Sequence, residues 1–302
     1  MGPLTELREL IGRHAGPGDL STVPTAVPIL KVTRCRVTTA PIGHVYEPLL
    51  AVVAQGEKQT VLGDRIFDYG TGQYLVVSVD LPITSHIVSA SEENPFLAVG
   101  LTLKPATVAE LLLETATTEG VSTELSGMGV SDASTNLLEA IVRLVRLLDD
   151  PKDIPVLMPG IEREILWRLL HGEQGSLVRQ IGLADSRLSQ ISHSIRWIRT
   201  HFAEALRVDD LASRAQMSLS TFHRHFRAVT AMTPIQYQKQ VRLQEARARL
   251  IAESGDVASV GFAVGYDSPS QFSREYSRLF GVPPGRDAAR LRTIAPAQWT
   301  AI

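Results

Sequence analysis

Apolar residues follow two different periods along the chain. Residues 1–15 mix leucines with Glu6, Arg8 and Glu9, which indicates an amphipathic helix and not a signal peptide. Between residues 20 and 103, short apolar runs alternate with glycine and proline turn signals. This spacing predicts a β sandwich or small barrel, with candidate strands at residues 30–37, 49–54, 74–79, 83–89 and 96–103.

From Pro105 onward the apolar residues recur at steps of three and four. We expect helices over residues 105–118, 132–148 and 160–170, with a proline-containing connector at 150–159. A short polar break at residues 172–175 comes before a segment that is helical from residue 189 to the end. The fold class is therefore α+β, a β-rich N-terminal part followed by helices and then an all-α C-terminal domain.

The clearest signal is an internal repeat with a period of about 50 residues. The segment STFHRHF, from Ser220, recurs as SQFSREY from Ser270. Upstream the match shifts to an offset of 49, so the second copy has one extra residue in its turn. Each copy predicts a helix, a tight turn and a helix, with Ser218 or Ser220 capping the second helix of the first copy.

The second helix of each copy has an apolar face and a polar face. We expect the apolar faces, which comprise Phe222, Phe226, Val229, Phe272, Tyr276 and Leu279, to lie in the core. Arginine pairs with guanine, glutamine with adenine, and serine or threonine with either, so the polar faces predict DNA readout. The predicted DNA-binding residues are Ser218, Ser220, Thr221, His223, Arg224, Arg227, Ser268, Ser270, Gln271, Ser273, Arg274 and Arg278.

The segment between the two copies predicts a rigid spacer. Thr233 caps a helix with Pro234 at its first position, and the helical pattern continues to about Ala252. About 20 residues at 1.5 Å each span roughly 30 Å, which is close to the roughly 34 Å between successive major grooves. One chain can thus read two half-sites, either as a monomer or within a homodimer.

Charge is distributed unevenly between the two halves. Residues 190–302 carry 15 basic and 9 acidic side chains, a net charge of +6, while residues 1–189 have a net charge of −8. A basic segment joined to an acidic one is typical of a nucleic-acid-binding domain on a separate module. The longest apolar run, residues 49–54, is too short to cross a membrane, and one cysteine excludes an internal disulfide. We therefore expect a cytoplasmic protein without a membrane partner.

Residues 190–290 resemble the DNA-binding domain of the AraC/XylS family of bacterial regulators. The matching stretches are LASRAQMS from Leu211, VGYDSPSQFSREY from Val264 and FGVPP from Phe280. The resemblance implies a promoter-binding transcription regulator, an activator or a repressor, with RNA polymerase as a partner. It also implies base contacts at Ser220, Thr221, His223, Arg224, Ser270, Gln271, Ser273 and Arg274.

The N-terminal part resembles the cupin-like sensor domain of one AraC-type subgroup, through YEP from Tyr46, VVAQGEK from Val52 and QYLVVSVDLP from Gln73. This resemblance implies residues 1–175 as an effector-sensing and dimerisation domain and residues 190–302 as the DNA-binding domain. A barrel of this kind encloses an apolar cavity, so we expect a small-molecule effector and no cofactor. The candidate effector-binding residues are Tyr46, Tyr74, Phe96, His44 and His86.

Two other functions for the N-terminal part remain open. His44, Glu47 and His86 are three possible ligands for zinc or iron in a metal-cupin enzyme, although the ligand spacing of metal-binding cupins is absent. A protein-partner-binding module is the other alternative. Sequence motifs of a nucleophile elbow, a phosphate-binding loop or a dinucleotide site are missing, so we expect no enzymatic activity. Cys35, between Arg34 and Arg36, is either a redox sensor or a buried small side chain.

Overall fold

A computed structural model describes residues 2–115, 126–183, 187–252 and 256–294. In the N-terminal part the strands form two antiparallel sheets, with the order β1-β2-β9-β4-β7-β10 in the first and β3-β8-β5-β6 in the second. The strands are β1 Leu20–Pro24, β2 Leu30–Cys35, β3 Ile42–Tyr46, β4 Leu49–Gln55, β5 Glu57–Leu62, β6 Arg65–Gly70, β7 Gln73–Val77, β8 Leu81–Ser89, β9 Phe96–Thr102 and β10 Met128–Asp132.

The six-stranded sheet is buried on both faces. In β4 the residues Leu50 and Val52 belong to the core beneath the helices, while Ala51 and Val53 belong to the core between the two sheets. This follows from the two-residue period of a strand, which directs successive side chains to opposite faces. Burial on both faces explains why residues 49–54 form the longest apolar run of the chain.

Within the described residues, five helices belong to the N-terminal part, and all five contribute buried residues to the core on the outer face of the six-stranded sheet. Leu7 and Ile11 of the first helix are fully buried there, so the amphipathic pattern predicted for residues 1–15 is confirmed. The helices are α1 Pro3–His14, α2 Pro105–Thr115, α3 Thr135–Arg146, α4 Ile154–Leu170 and α5 Gly175–Gly182.

Two sequence-based expectations in this region are wrong. The predicted connector at residues 150–159 is helical from Ile154, because Pro155 occupies the first turn, where a missing N–H is tolerated. Pro159 lies inside α4, and Pro155, whose carbonyl would accept the lost bond, is exposed to solvent. Asp132, predicted to begin a helix, instead ends β10, and α3 begins after Ser134, whose side chain accepts a bond from the Leu137 N–H.

The C-terminal part is entirely helical within the described residues. Its first three helices and the start of the fourth contribute to the core between the two sheets. The rest of the fourth helix and the last three helices have a smaller core of their own. The helices are α6 Arg187–Thr200, α7 Val208–Arg214, α8 Leu219–Thr230, α9 Pro234–Ala252, α10 Val257–Ala263, α11 Pro269–Phe280 and α12 Pro284–Ile294.

Side chains of α9 bond to the backbone at the start of β8. The Tyr237 hydroxyl donates to the Asp80 carbonyl at 2.8 Å. Gln240 and Gln244 donate to the carbonyls of Pro82 and Ile83 at 3.0 and 3.1 Å. Since these residues recur at steps of three and four, one face of α9 lies along one strand. The helix is therefore fixed against the barrel along much of its length.

Candidate DNA interface and effector pocket

The first helix-turn-helix unit consists of α7, a turn and α8. Gln216 in the turn has a φ of 53°, a left-handed conformation that reverses the chain within three residues. The Ser218 side chain accepts a hydrogen bond from the Thr221 N–H at 3.3 Å and caps α8. Of the two serines considered as caps, Ser218 thus has this role. Phe222 and Phe226 are fully buried, as predicted.

The second unit, α10 and α11, repeats this geometry. Gly265 has a φ of 90° at the position 49 residues after Gln216, and Ser268 caps α11 by accepting from the Gln271 N–H at 3.4 Å. A Cβ on Gly265 would lie 2.3 Å from the Ala203 carbonyl oxygen, so this turn requires glycine. Phe272 is fully buried, which confirms its place in the core.

Leu279 does not belong to the buried face of α11, contrary to the sequence-based expectation. Its side chain is 37% exposed, whereas Tyr276 is fully buried and donates from its hydroxyl to the Asp287 carboxylate at 3.0 Å. Phe280, the next residue, packs against Tyr276 with 4.6 Å between the ring centroids. Helix α11 therefore directs Phe280, and not Leu279, toward the protein.

The predicted base-contacting residues lie on the solvent side of the two recognition helices, α8 and α11. Arg224, Arg227, Arg274 and Arg278 are all exposed, and none of them forms an ion pair with any described residue. Unpaired arginines on a net positive segment are available to phosphate and guanine. Ser220 and Ser270 are exposed as well, while Thr221, His223, Ser268, Gln271 and Ser273 are partly exposed.

The two recognition faces differ in how their polar groups are engaged. In the first unit, the exposed Ser218 hydroxyl donates to the Thr221 hydroxyl at 2.9 Å. In the second unit, the Gln271 amide donates to the Glu275 carboxylate at 3.2 Å, and Lys239 also donates to that carboxylate at 2.9 Å. Gln271 must leave this bond to contact an adenine in the bidentate manner.

The spacer predicted between the units is the helix α9. Thr233 and Gln236 form reciprocal bonds at its start, with the Thr233 N–H donating to the Gln236 amide oxygen at 2.9 Å. Within α9, Arg247 is bonded to the buried Asp287 of α12 at 2.8 Å. Arg242 donates to the carbonyls of Phe202 and Gly265, at 2.6 and 2.7 Å. The spacer thus bonds to a residue before the first unit, Phe202, and to residues in and after the second unit, Gly265 and Asp287.

A pocket of about 350 Å³ lies between the barrel and α9. Its walls come from β1, β3, β5 and β8 on one side and from α6, α9 and α12 on the other. The lining residues are Leu20, Thr22, Thr39, Ile42, Gly43, His44, Val45, Lys58, Ser85, His86, Ile87, Arg199, Phe202, Val241, Gln244, Glu245, Arg247, Ala248, Ile251 and Leu291.

Two of the five candidate effector-binding residues, His44 and His86, line this pocket. Tyr46 is fully buried, and its hydroxyl accepts a bond from the lining residue Lys58 at 2.9 Å. Tyr74 and Phe96 do not line it. Strand alternation directs Tyr74 to the helix-covered face of its sheet, and Phe96 is enclosed between the sheets.

Lys58 is a pocket residue that the sequence interpretation missed. Its side chain is only 4% exposed, and burial lowers the pKa of its amine. The period of β5 contains the signal, because Lys58 shares a face with Thr60 and Leu62. Burial, together with the nearby Lys58, lowers the pKa of His44 to about 3, so this imidazole is neutral at pH 7.

The three residues considered as metal ligands do not come together. Glu47 lies 3.5 Å from the Arg199 guanidinium, and the described residues contain no group of three His, Cys, Asp or Glu side chains suited to a metal ion. Cys35 is fully buried and donates to the Val37 carbonyl at 3.0 Å. Burial raises the pKa of its thiol, which is opposite to the effect expected of a redox sensor flanked by cations.

The chain thus combines an N-terminal β barrel with two C-terminal helix-turn-helix units, which places it in the class of two-domain helix-turn-helix proteins. The model of the AraC-type transcriptional regulator N-terminus matches residues 26–177, and a helix-turn-helix domain model matches residues 211–290. The chain belongs to the AraC-type transcriptional regulator family. None of the helices in the described residues is long and apolar enough to span a membrane.

Known relatives and structures agree with this assignment. The transcriptional activator RhaS of Escherichia fergusonii is 32% identical over 159 residues, which cover 50% of this chain and 56% of RhaS. RhaS of Klebsiella pneumoniae is 32% identical over 133 residues, 42% of this chain and 47% of RhaS. The chain thus spans about half the length of the curated relatives it matches. ToxT of Vibrio cholerae shares the fold, with a TM-score of 0.57 at 11% identity over 89% of this chain and 97% of ToxT.

Proposed function

We propose that this protein is a sequence-specific transcription regulator that binds promoter DNA through α8 and α11 and responds to a small effector. The observation that carries the proposal is the pair of matching recognition helices, each with two unpaired, exposed arginines. In this proposal, residues 190–302 are the DNA-binding domain and residues 1–175 sense the effector. The +6 net charge of the C-terminal segment supports this division.

Each recognition helix has its own set of base-contacting residues in this proposal. Arg224 and Arg274 occupy equivalent positions, 50 residues apart, and bond to guanine in their half-sites. Arg227 and Arg278, further along the helices, bind phosphate and fix the register of the protein on the duplex. Helix α9 has 19 residues and spans about 28 Å, which is close to one turn of DNA.

The effector occupies the pocket between the barrel and α9. This location supports regulation, because an occupant contacts the sensing part and the spacer between the two DNA-binding units at once. ToxT, which has the same fold, has been crystallised with an unsaturated fatty acid bound. RhaS is named as a transcriptional activator. If the present protein also activates transcription, it contacts RNA polymerase in the cytoplasm, as a monomer or a homodimer.

Selection of binding sites from a random duplex library tests the proposal. We expect an enriched motif with two half-sites about one turn apart and an affinity that falls steeply with salt. Fluorescence anisotropy on that motif then compares Arg224→Ala and Arg274→Ala with Arg286→Ala, an exposed arginine on α12 outside the recognition faces. Each of the first two should lose about 1–3 kcal/mol of discrimination at its own half-site. Unchanged discrimination in both, or no enriched motif, contradicts the proposal.

A further inference from the structure

A buried lysine lines the pocket without a carboxylate partner. Lys58 is 4% exposed and donates to the neutral hydroxyl of Tyr46 at 2.9 Å. Among the residues that the structure describes, it forms no ion pair, whereas the lining arginines Arg199 and Arg247 each pair with an aspartate. A buried ammonium group is costly without a counter-charge. This wall of the pocket therefore favours an anion.

The remaining lining is suited to an apolar body. The pocket has a volume of about 350 Å³, which lies within the range of roughly 300–1,000 Å³ typical of small-molecule sites. Three buried polar atoms of the lining have no hydrogen-bond partner among the described residues, namely His44 Nε2, Gln244 Oε1 and Arg247 Nη1. Buried polar groups are rarely left unpaired, so the pocket suits an occupant with a few polar atoms. The apolar contacts come from residues such as Leu20, Ile42, Ile87, Val241, Ile251 and Leu291.

We propose that this pocket binds an acidic small molecule with an apolar body, whose carboxylate is bound by Lys58. The inference rests on the proposed function, since this ligand is the effector of the regulator. Arg199 and Arg247 are less suited to bind the anion, because Asp80 and Asp287 already neutralise them. Lys58 is thus the residue that selects acids over neutral molecules of the same size.

Proton uptake on ligand binding is a second measurable sign that a carboxylate contacts Lys58. Tyr46, Tyr69, Cys35 and His44 interact with Lys58 from strands of both sheets. Burial raises the pKa of Tyr46 to about 12 and also raises the pKa of Tyr69 and of Cys35, while the pKa of His44 is lowered to about 3. All four are therefore neutral at pH 7. A bound carboxylate favours the charged form of Lys58, so binding above the pKa of the free amine takes up a proton.

Calorimetry on the full chain with octanoate and 1-octanol tests the assignment. These probes share an apolar tail and differ in charge. We expect octanoate to bind at least tenfold more tightly than 1-octanol, and Lys58→Met to abolish this preference. Lys152→Met, an exposed lysine outside the pocket, should retain it. Equal affinities for the two probes in the unmodified protein, or a preference that survives Lys58→Met, overturn the proposal.

Two further variants keep the test decisive. Lys58→Arg retains the charge and should keep the preference if Lys58→Met fails to fold. Ala248→Phe places a ring at the exposed rim formed by α9 and should weaken both probes at least fivefold. Proton uptake, measured in two buffers above the pKa of the free Lys58 amine, should be absent in Lys58→Arg and present in Lys152→Met, which lies outside the pocket.

The DNA-binding assay on the same samples separates two kinds of failure. If the protein binds its selected DNA motif but binds neither probe, or binds only 1-octanol, the acidic ligand is wrong and the regulator function stands. If octanoate binds with the expected charge preference but no DNA motif is selected, the pocket assignment stands and the proposed function fails.

Discussion

The two helix-turn-helix units have the same local geometry but different anchors. Phe226 of the first unit belongs to the core between the two sheets of the barrel, whereas Phe272 of the second belongs to a small core among α9–α12. Close backbone contacts also join the first unit to the barrel. Gly63 of the barrel lies near Ala231, and Gly127 lies near Val229, both at the end of α8. The first unit therefore shares the core of the barrel, while the second is attached mainly through α9.

This difference indicates how one pocket can affect DNA binding. The pocket lies beside α9, which joins the fixed unit to the second one, and Arg247 in its wall is bonded to Asp287 beneath α11. The ring of Phe280, at the end of α11, lies 4.4 Å from the Arg247 guanidinium carbon. An occupant of the pocket thus contacts the second unit's supports more directly than the first unit's recognition helix.

The largest expected effect comes from the equivalent substitutions Phe226→Ala and Phe272→Ala. Both rings are fully buried, so each variant should lose about 3–5 kcal/mol of unfolding free energy in the region that shares its core. Hydrogen exchange should increase in the barrel strands and α8 for Phe226→Ala, but only in residues 243–290 for Phe272→Ala. Increased exchange in the barrel for both variants would remove the distinction.

Two ion pairs, Arg247–Asp287 and Arg199–Asp80, provide a second comparison of the two regions. Asp287 is fully buried beneath the Arg247 guanidinium, so Asp287→Asn should cost about 3–5 kcal/mol within the second unit. Asp80, which bonds Arg199 at 2.6 Å at the contact of α6 with the barrel, is slightly exposed. For Asp80→Asn we expect about 1.5–3 kcal/mol. Urea unfolding of both variants measures the difference, and a larger loss for Asp80→Asn would contradict the account.

Mild acid, between pH 7 and 5, should affect the barrel side and not the second unit, because residues 256–294 contain no histidine. The unfolded chain protonates His44 below about pH 6.5, whereas the folded chain does so only near the lowered pKa of about 3. Stability is therefore lost as the pH falls through this window, by up to about 2 kcal/mol between pH 7 and 5.

We expect His44→Gln to remove this acid sensitivity, and His86→Gln, from the same pocket, is its matched control. Chemical unfolding at pH 7 and pH 5 compares the two variants with the unmodified protein. If His44→Gln loses as much stability between the two pH values as the unmodified protein does, the buried neutral imidazole is not the source.

The smallest expected effect concerns the helix caps. Ser218→Ala and Ser268→Ala each remove the side-chain acceptor at the start of a recognition helix. We expect a loss of about 1 kcal/mol in each case, detected as faster amide exchange in the first turn of α8 or α11. The loss should remain within the substituted unit, and a matching change in the other unit would indicate coupling that the separate cores do not explain.

The repeat and its exposed arginines could be predicted from sequence because local patterns specify them. Phe222 and Phe272 follow from helical periodicity, whereas the preference for side-chain acceptors at helix starts left Ser218 and Ser220 open as the cap of the first unit. The pocket could not be predicted, since its walls join residues such as Lys58 and Gln244 that are far apart in the chain. Residue type alone makes Tyr74 a candidate effector contact, and its strand places it in the core beneath the helices, away from this pocket.

Hydroxyl-radical footprinting on a selected DNA site tests whether one chain reads DNA with two unequal units. We expect two protected regions about one helical turn apart. Arg224→Ala should weaken protection in one region and Arg274→Ala in the other. A single protected region, or two that weaken together in either variant, would contradict the claim.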